Sequence, residues 1–191
     1  MTEKEKMLAG MIYDAKNDAA LIEERLVCKE LCRDYNDLRP RETAAREALL
    51  RRILGAAGEG LLIEQPFYCD YGYNIRVGNN FYANFNLVIL DEAPVTFGDN
   101  VFIAPNCGFY TAGHPIDAAE RNKGLEYALP ITVGDNVWIG AGVSVLPGVS
   151  IGDNCVIGAG SVVVKDIPLN SVAVGNPCKV VKTISEDLEV S

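Results

Sequence analysis

At 191 residues the chain is long enough for one sizeable domain with a short appendage, and 17 basic against 26 acidic residues give a net charge of −9. That balance excludes the positive footprint that nucleic acid or an anionic membrane demands, leaving small molecules and further copies of the chain as expected partners. With one histidine and six scattered cysteines, none in a C-x-x-C pair, the spacing shows no zinc site and reduced structural thiols are expected.

The opening MTEKEKMLAG carries charges where a secretion signal needs an apolar run, and no stretch approaches the ~20 apolar residues of a spanning helix, so a cytoplasmic location is expected. Apolar residues then recur at helical spacing: Leu21, Ile22, Leu26, Leu31 and Tyr35, and after Pro40 Ala45, Ala48, Leu49, Leu50, Ile53 and Leu54. This pattern predicts two or three short amphipathic helices, closed by Gly55, Gly58 and Gly60. A helical cap over 1–58 is expected, followed by a second unit over 59–191.

Beyond Gly60 the period changes. From Val133 the sequence divides into sixes, VGDNVW, IGAGVS, VLPGVS, IGDNCV, IGAGSV and VVKDIP, each opening with Val or Ile. A period of six suits short parallel strands wound into a coil, with the first residue inward and the second in a tight turn. Glycine at the second place is expected to supply positive φ there. VGDNVW and IGDNCV stand three hexads apart, which predicts a triangular prism. The signal recurs upstream in VGNNFY, FGDNVF and IAPNCG, and lapses over 112–129, where a loop should leave the prism. His114, in TAGHPID, sits at the base of that loop. Cys107 and Cys155 fall at the fifth, inward place of a hexad.

These hexads, together with TAGHPID, CDYGYNIRVGNNFYANFN (69–86), NVWIGAGVSVLPGVSIGDN (136–154), VGNPCKVVK (174–182) and the opening EKEKMLAGMIYD (3–14), resemble the maltose and galactoside O-acetyltransferases over nearly the whole chain. DYGYNI and HPIDAAERNKG lean toward the maltose enzymes. The resemblance implies a mainly β fold, a left-handed parallel β-helix with a small N-terminal α-helical cap. It further implies a homotrimer, acetyl-CoA as donor, a sugar hydroxyl as acceptor and no metal requirement.

Site residues follow from the same resemblance. Moving an acetyl group from a thioester to an alcohol needs a base for the hydroxyl proton, and a neutral imidazole, ordinarily of pKa near ~6.5, suits the task. His114 is the implied base. Asn84 is implied at the acceptor and Ala141 at the thioester, through its backbone N–H. Asp14, Arg25, Asp70 and Glu92 are implied as sugar ligands, although Asp70 stands where the galactoside enzymes have serine and Glu92 where they have aspartate. Trp138 ends a hexad where its side chain should point outward, and reads as a wall for the pantetheine arm. Coenzyme A positions map to Ala141, Ala159, Val164, Lys165, Lys179 and Lys182, the last two as phosphate partners where the family often has arginine. Inward cysteines imply direct transfer without an acyl-cysteine. His114 of one chain is expected to face Trp138 and Ala141 of the next.

Other readings differ in their requirements. A β-helical carbonic anhydrase needs three histidines, and this chain has one. A catalytically silent, trimeric sugar-binding scaffold would tolerate any residue at 114. Xenobiotic and serine acetyltransferases share the coil and lack this cap, so an acetyltransferase for another small hydroxyl acceptor is the nearer alternative.

Overall fold

A computed structural model describes residues 1–184. Helix α1 (Glu3–Leu8) opens on a capping box, in which the Thr2 hydroxyl accepts from the Glu5 N–H and the Glu5 carboxylate accepts from the Thr2 N–H. Helix α2 (Ala19–Asp37) is capped by Asp18, whose Oδ1 accepts from the Leu21 N–H at 2.9 Å. Helix α3 (Thr43–Ile53) follows the turn at Pro40. At 19 residues α2 is longer than the periodicity suggested. Its buried face is Leu21, Cys28, Cys32 and Tyr35, whereas Leu26, expected inside, is exposed. Two cysteines one helical turn apart replace the leucines that a conventional amphipathic stripe would carry.

From Ala56 the chain winds as a left-handed parallel β-helix with three faces. The first face stacks Ala56–Ala57, Ile75–Val77, Val95–Phe97, Ile131–Val133 and Ser150–Ile151. The second stacks Leu62–Ile63, Tyr82–Ala83, Phe102–Ile103, Trp138–Ile139, Val156–Ile157 and Ser171–Val174, and closes with the antiparallel strand Lys179–Thr183. The third stacks Phe67–Cys69, Leu87–Leu90, Gly108–Tyr110, Ser144–Val145 and Val162–Val163.

The first and fifth places of each hexad point inward, as expected: Val133 and Val137, Ile139 and Val143, Ile151 and Cys155 are all buried. Positive φ is found at the fourth place, at Asn136, Gly142 and Asn154, and not at the second, which corrects the sequence reading. The second-place glycines are required by close approach instead. A Cβ on Gly140 would stand 2.6 Å from the Ala159 backbone nitrogen of the next coil.

Asparagine suits the left-handed corner because its short amide also bonds along the column. Asn80, Asn100, Asn136, Asn154 and Asn170 link amide to amide at 3.0, 3.1, 3.2 and 3.0 Å. The steps between them are 20, 36, 18 and 16 residues. The lower coils are thus two residues longer than three hexads, and phenylalanines fill that end: Phe97 lies 5.1 Å from Phe81 and 4.9 Å from Phe109 between ring centroids. The step of 36 contains the projecting loop.

Candidate active site

Two corners of the prism hold the residues that the sequence singled out. At the corner between the third and first faces, successive strands are followed by Asp70, by Asp91 and Glu92, and by Thr111, so these groups stack coil upon coil. The loop departs from Thr111. Its first strand, Ala112–Gly113, pairs antiparallel with Leu125–Ala128, which pairs in turn with Tyr13–Asp14 of the cap. Helix α4 (Ala118–Arg121) forms the tip. A backbone bond of 2.9 Å from the Leu129 N–H to the Thr111 carbonyl closes the base.

His114 follows this strand with its side chain about half exposed, at 51 %. Nδ1 lies 3.0 Å from the Leu125 carbonyl oxygen. A carbonyl only accepts, so Nδ1 carries the proton and Nε2 keeps its lone pair. Nε2 stands 3.9 Å from Glu126 Oε1, and the other oxygen of Glu126 accepts from the Tyr13 hydroxyl at 2.7 Å.

A cavity of about 360 Å³ opens beside the ring, lined by His114, Arg25, Asp70, Glu92, Lys29 and Glu126 among others. Arg25 is held from two sides, donating to the Tyr71 hydroxyl and to the Ala15 carbonyl at 2.7 Å each. Burial, reinforced by the neighbouring Asp70 carboxylate, pushes Glu92 up to about 9, so it enters the cavity wall as a neutral acid. Asp91, wholly buried behind it, is pushed by burial to about 6, against the N–H groups of Tyr71 and Asp70 that it accepts at 2.8 and 3.1 Å. Asp14 does not line the cavity. Its carboxylate accepts from the Asn17 side chain and from the N–H groups of Asn17 and Lys16, which holds it below the usual carboxylate range.

The corner between the second and third faces holds Asn84, Ala141 and Ala159. Asn84 is not a rung of the ladder there, which joins Asn86 to Asn106 at 2.9 Å; its Oδ1 accepts from the Phe85 N–H. Ala141 and Ala159 are exposed and consecutive in their column, the Gly160 N–H donating to the Ala141 carbonyl at 2.8 Å. Among the described residues nothing accepts from the Ala141 N–H.

Trp138 is 58 % exposed on the adjoining second face, directly above Phe102, which is 51 % exposed and has Tyr82 beneath it. Val164 and Lys165 are exposed beyond the last third-face strand, and Lys179 and Lys182 on the terminal antiparallel strand. His114, Arg25, Asp70 and Glu92 therefore share one cavity of a single chain, while Asn84, Trp138, Ala141 and Ala159 lie at another corner.

Sequence reading missed Tyr13, Tyr71, Lys29 and Glu126, whose places depend on the cap pairing with the loop and carry no local motif. Cys107 and Cys155 are buried, with their thiols pushed up by that burial and donating to the Gly140 and Pro168 carbonyls. Neither has the exposed, low-pKa character of a nucleophile.

Comparison with known proteins agrees with this architecture. Residues 6–58 match the maltose acetyltransferase hexapeptide capping motif and residues 130–165 the bacterial transferase hexapeptide, in six repeats. A maltose O-acetyltransferase from Clostridium difficile 630 is 56% identical, with 97% of this chain and 99% of that one covered and a TM-score of 0.96. A galactoside acetyltransferase in complex with coenzyme A is 45% identical, with 100% and 99% covered and a TM-score of 0.94. A hexapeptide-repeat acetyltransferase from Vibrio cholerae O1 biovar eltor, complexed with acetyl coenzyme A, is 36% identical, with 97% and 100% covered and a TM-score of 0.89. Helical cap, three-faced coil and projecting histidine loop lie within the length matched, and the chain belongs to the maltose and galactoside O-acetyltransferase family of hexapeptide-repeat transferases.

Proposed function

We propose that the chain transfers the acetyl group of acetyl-CoA to a hydroxyl of a sugar, by direct attack with His114 as general base. The observation that carries this reading is the bond between Nδ1 and the Leu125 carbonyl, which leaves the Nε2 lone pair beside a cavity lined with groups suited to sugar hydroxyls. Arg25 and neutral Glu92 donate hydrogen bonds there and Asp70 accepts them. Asn84, at the other corner, completes the acceptor set, whereas Asp14, whose carboxylate is taken up by its own turn, is left out of it.

As the hydroxyl oxygen bonds to the thioester carbon, its proton passes to Nε2. The oxyanion is met by the Ala141 N–H. Collapse breaks the carbon–sulfur bond, and the imidazolium returns the proton to the departing thiolate, giving coenzyme A and the sugar ester. The carboxylate of Glu126, 3.9 Å from Nε2, favours the transient imidazolium. The donor lies along Trp138, Ala141, Ala159, Val164 and Lys165, with Lys179 and Lys182 toward its phosphates. The bound coenzyme A of the galactoside acetyltransferase supports this assignment.

The separation of the two corners supports a site shared between chains of a homotrimer, and the exposed pair Phe102 and Trp138, with half-buried Tyr82 beneath, supports a second copy as its cover. Location in the cytoplasm is consistent with six unpaired cysteines.

Loss of a general base costs ~10²- to 10⁴-fold. With maltose, glucose and a galactoside screened as acceptors and free thiol release as the signal, His114→Ala should lose kcat to that extent while keeping its fold. A kcat within about threefold of wild type would overturn the assignment in favour of a scaffold or another base.

A further inference from the structure

Two cysteines of the cap and one of the coil meet where the cap rests on the coil. Cys28 and Cys32 lie one turn apart on α2, and Cys69 ends the strand Phe67–Cys69 beneath them. The Sγ atom of Cys69 is 3.5 Å from that of Cys28 and 3.7 Å from that of Cys32, and all three sulfurs lie within 4.8 Å of one another. Four sulfurs at the zinc–thiolate bond length of about 2.3 Å around a tetrahedral ion stand about 3.8 Å apart. The cluster is therefore near the spacing that such an ion imposes, before any ion is added.

All three residues are buried, and Cys32 and Cys69 form part of the wall of a cavity of about 480 Å³ between α2 and the coil, separate from that of His114. This cavity gives an ion a way in and leaves room for a fourth ligand from solvent. Lys29 and Arg33 line it, paired with Asp70 at 3.9 Å and with Asp37 at 2.9 Å. Thiol packing alone needs no approach to a cavity wall.

We propose that Cys28, Cys32 and Cys69 form a binding site for a soft d¹⁰ cation of the zinc and cadmium class, with the fourth coordination position facing the cavity beside α2. Three metal–sulfur bonds form, and each thiol gives its proton to solvent. The ion ties the cap to the coil. Its ligands adjoin Lys29 and Asp70, which also line the His114 cavity, so occupancy stiffens the acceptor side of that site.

The test uses the full chain, reduced and freed of metal, titrated with Cd²⁺ and followed by the thiolate-to-cadmium charge-transfer band and by proton release. This readout is independent of acetyl transfer. One equivalent should saturate the band, and the cadmium-113 resonance of the wild-type protein should fall in the region of three sulfur ligands. Cys32→Ala and Cys69→Ser should each weaken binding by at least about 100-fold. Cys155→Ala and His114→Ala should leave it unchanged. A folded wild-type protein with no thiolate band, a cadmium resonance typical of oxygen and nitrogen ligands, or a band lost in Cys155→Ala would each overturn the proposal. Should the cysteine variants fail to fold, the wild-type resonance alone decides.

Discussion

At the scale of single residues, neutrality and orientation matter more than identity. Glu92 reads in the sequence as a charged group, yet burial and Asp70 hold it protonated to about 9. A raised carboxyl pKa means that the native state keeps a proton which the unfolded chain releases above its ordinary value of 4.5. Its contribution to stability is full below that value and is lost as pH rises toward 9. Glu92→Gln, which retains the shape and cannot ionise, should therefore gain stability over wild type as pH rises through this window, by at most about 1.4 kcal/mol per pH unit. Thermal melts at a series of pH values check it, and parallel curves from about pH 5 to 9 would show Glu92 ionised in the fold. Residue types were legible at this scale. Their surroundings were not, because the tether from Leu125 to His114 and the turn that occupies Asp14 exist only once the chain is folded.

Among elements, the hexad is the most legible feature, because alternate inward places and left-handed corners impose a composition rule on every coil. The role of the second-place glycine was misjudged: from sequence, a glycine wanted for φ and one wanted for closeness look alike. Two substitutions separate them. Gly140→Ala forces a Cβ to within 2.6 Å of backbone that cannot yield, whereas Gly160, at φ 72, has nothing within 4 Å. Gly140→Ala should cost about 1–3 kcal/mol as overpacking. Gly160→Ala should lose only the left-handed penalty, about 1–2 kcal/mol. Urea unfolding of both checks these losses, and a Gly140→Ala protein as stable as wild type would remove close approach as the cause. The inward face of α2 was obscured by cysteines, which hydropathy patterns do not mark as a stripe.

On the scale of the whole molecule, the shared site expected from the sequence is a proposal that rests on His114 and Ala141 lying at different corners of one chain, a separation set by where each coil turns. A mixture of His114→Ala and Ala141→Trp chains, each inactive alone, tests the shared site. In the proposed trimer, random exchange would leave about one interface in four with both walls intact, so refolding them together should restore about a quarter of wild-type activity. A mixture that stays inactive despite verified exchange would place the whole site within one chain. Strands on either side of the projecting loop pair in unbroken register, Val95 with Ile131 and Gly108 with Ser144, and the backbone bond from Leu129 to Thr111, continued by the antiparallel pairing of Ala112–Gly113 with Leu125–Ala128, fastens its neck. Chain added at the tip around α4 would thus bear only the slow logarithmic cost of a longer loop, about 0.6 kcal/mol per doubling. The prism acts as a socket that grips the loop by its neck, where His114 is rooted, so that the loop can change in length and shape without renegotiating the stability of the scaffold.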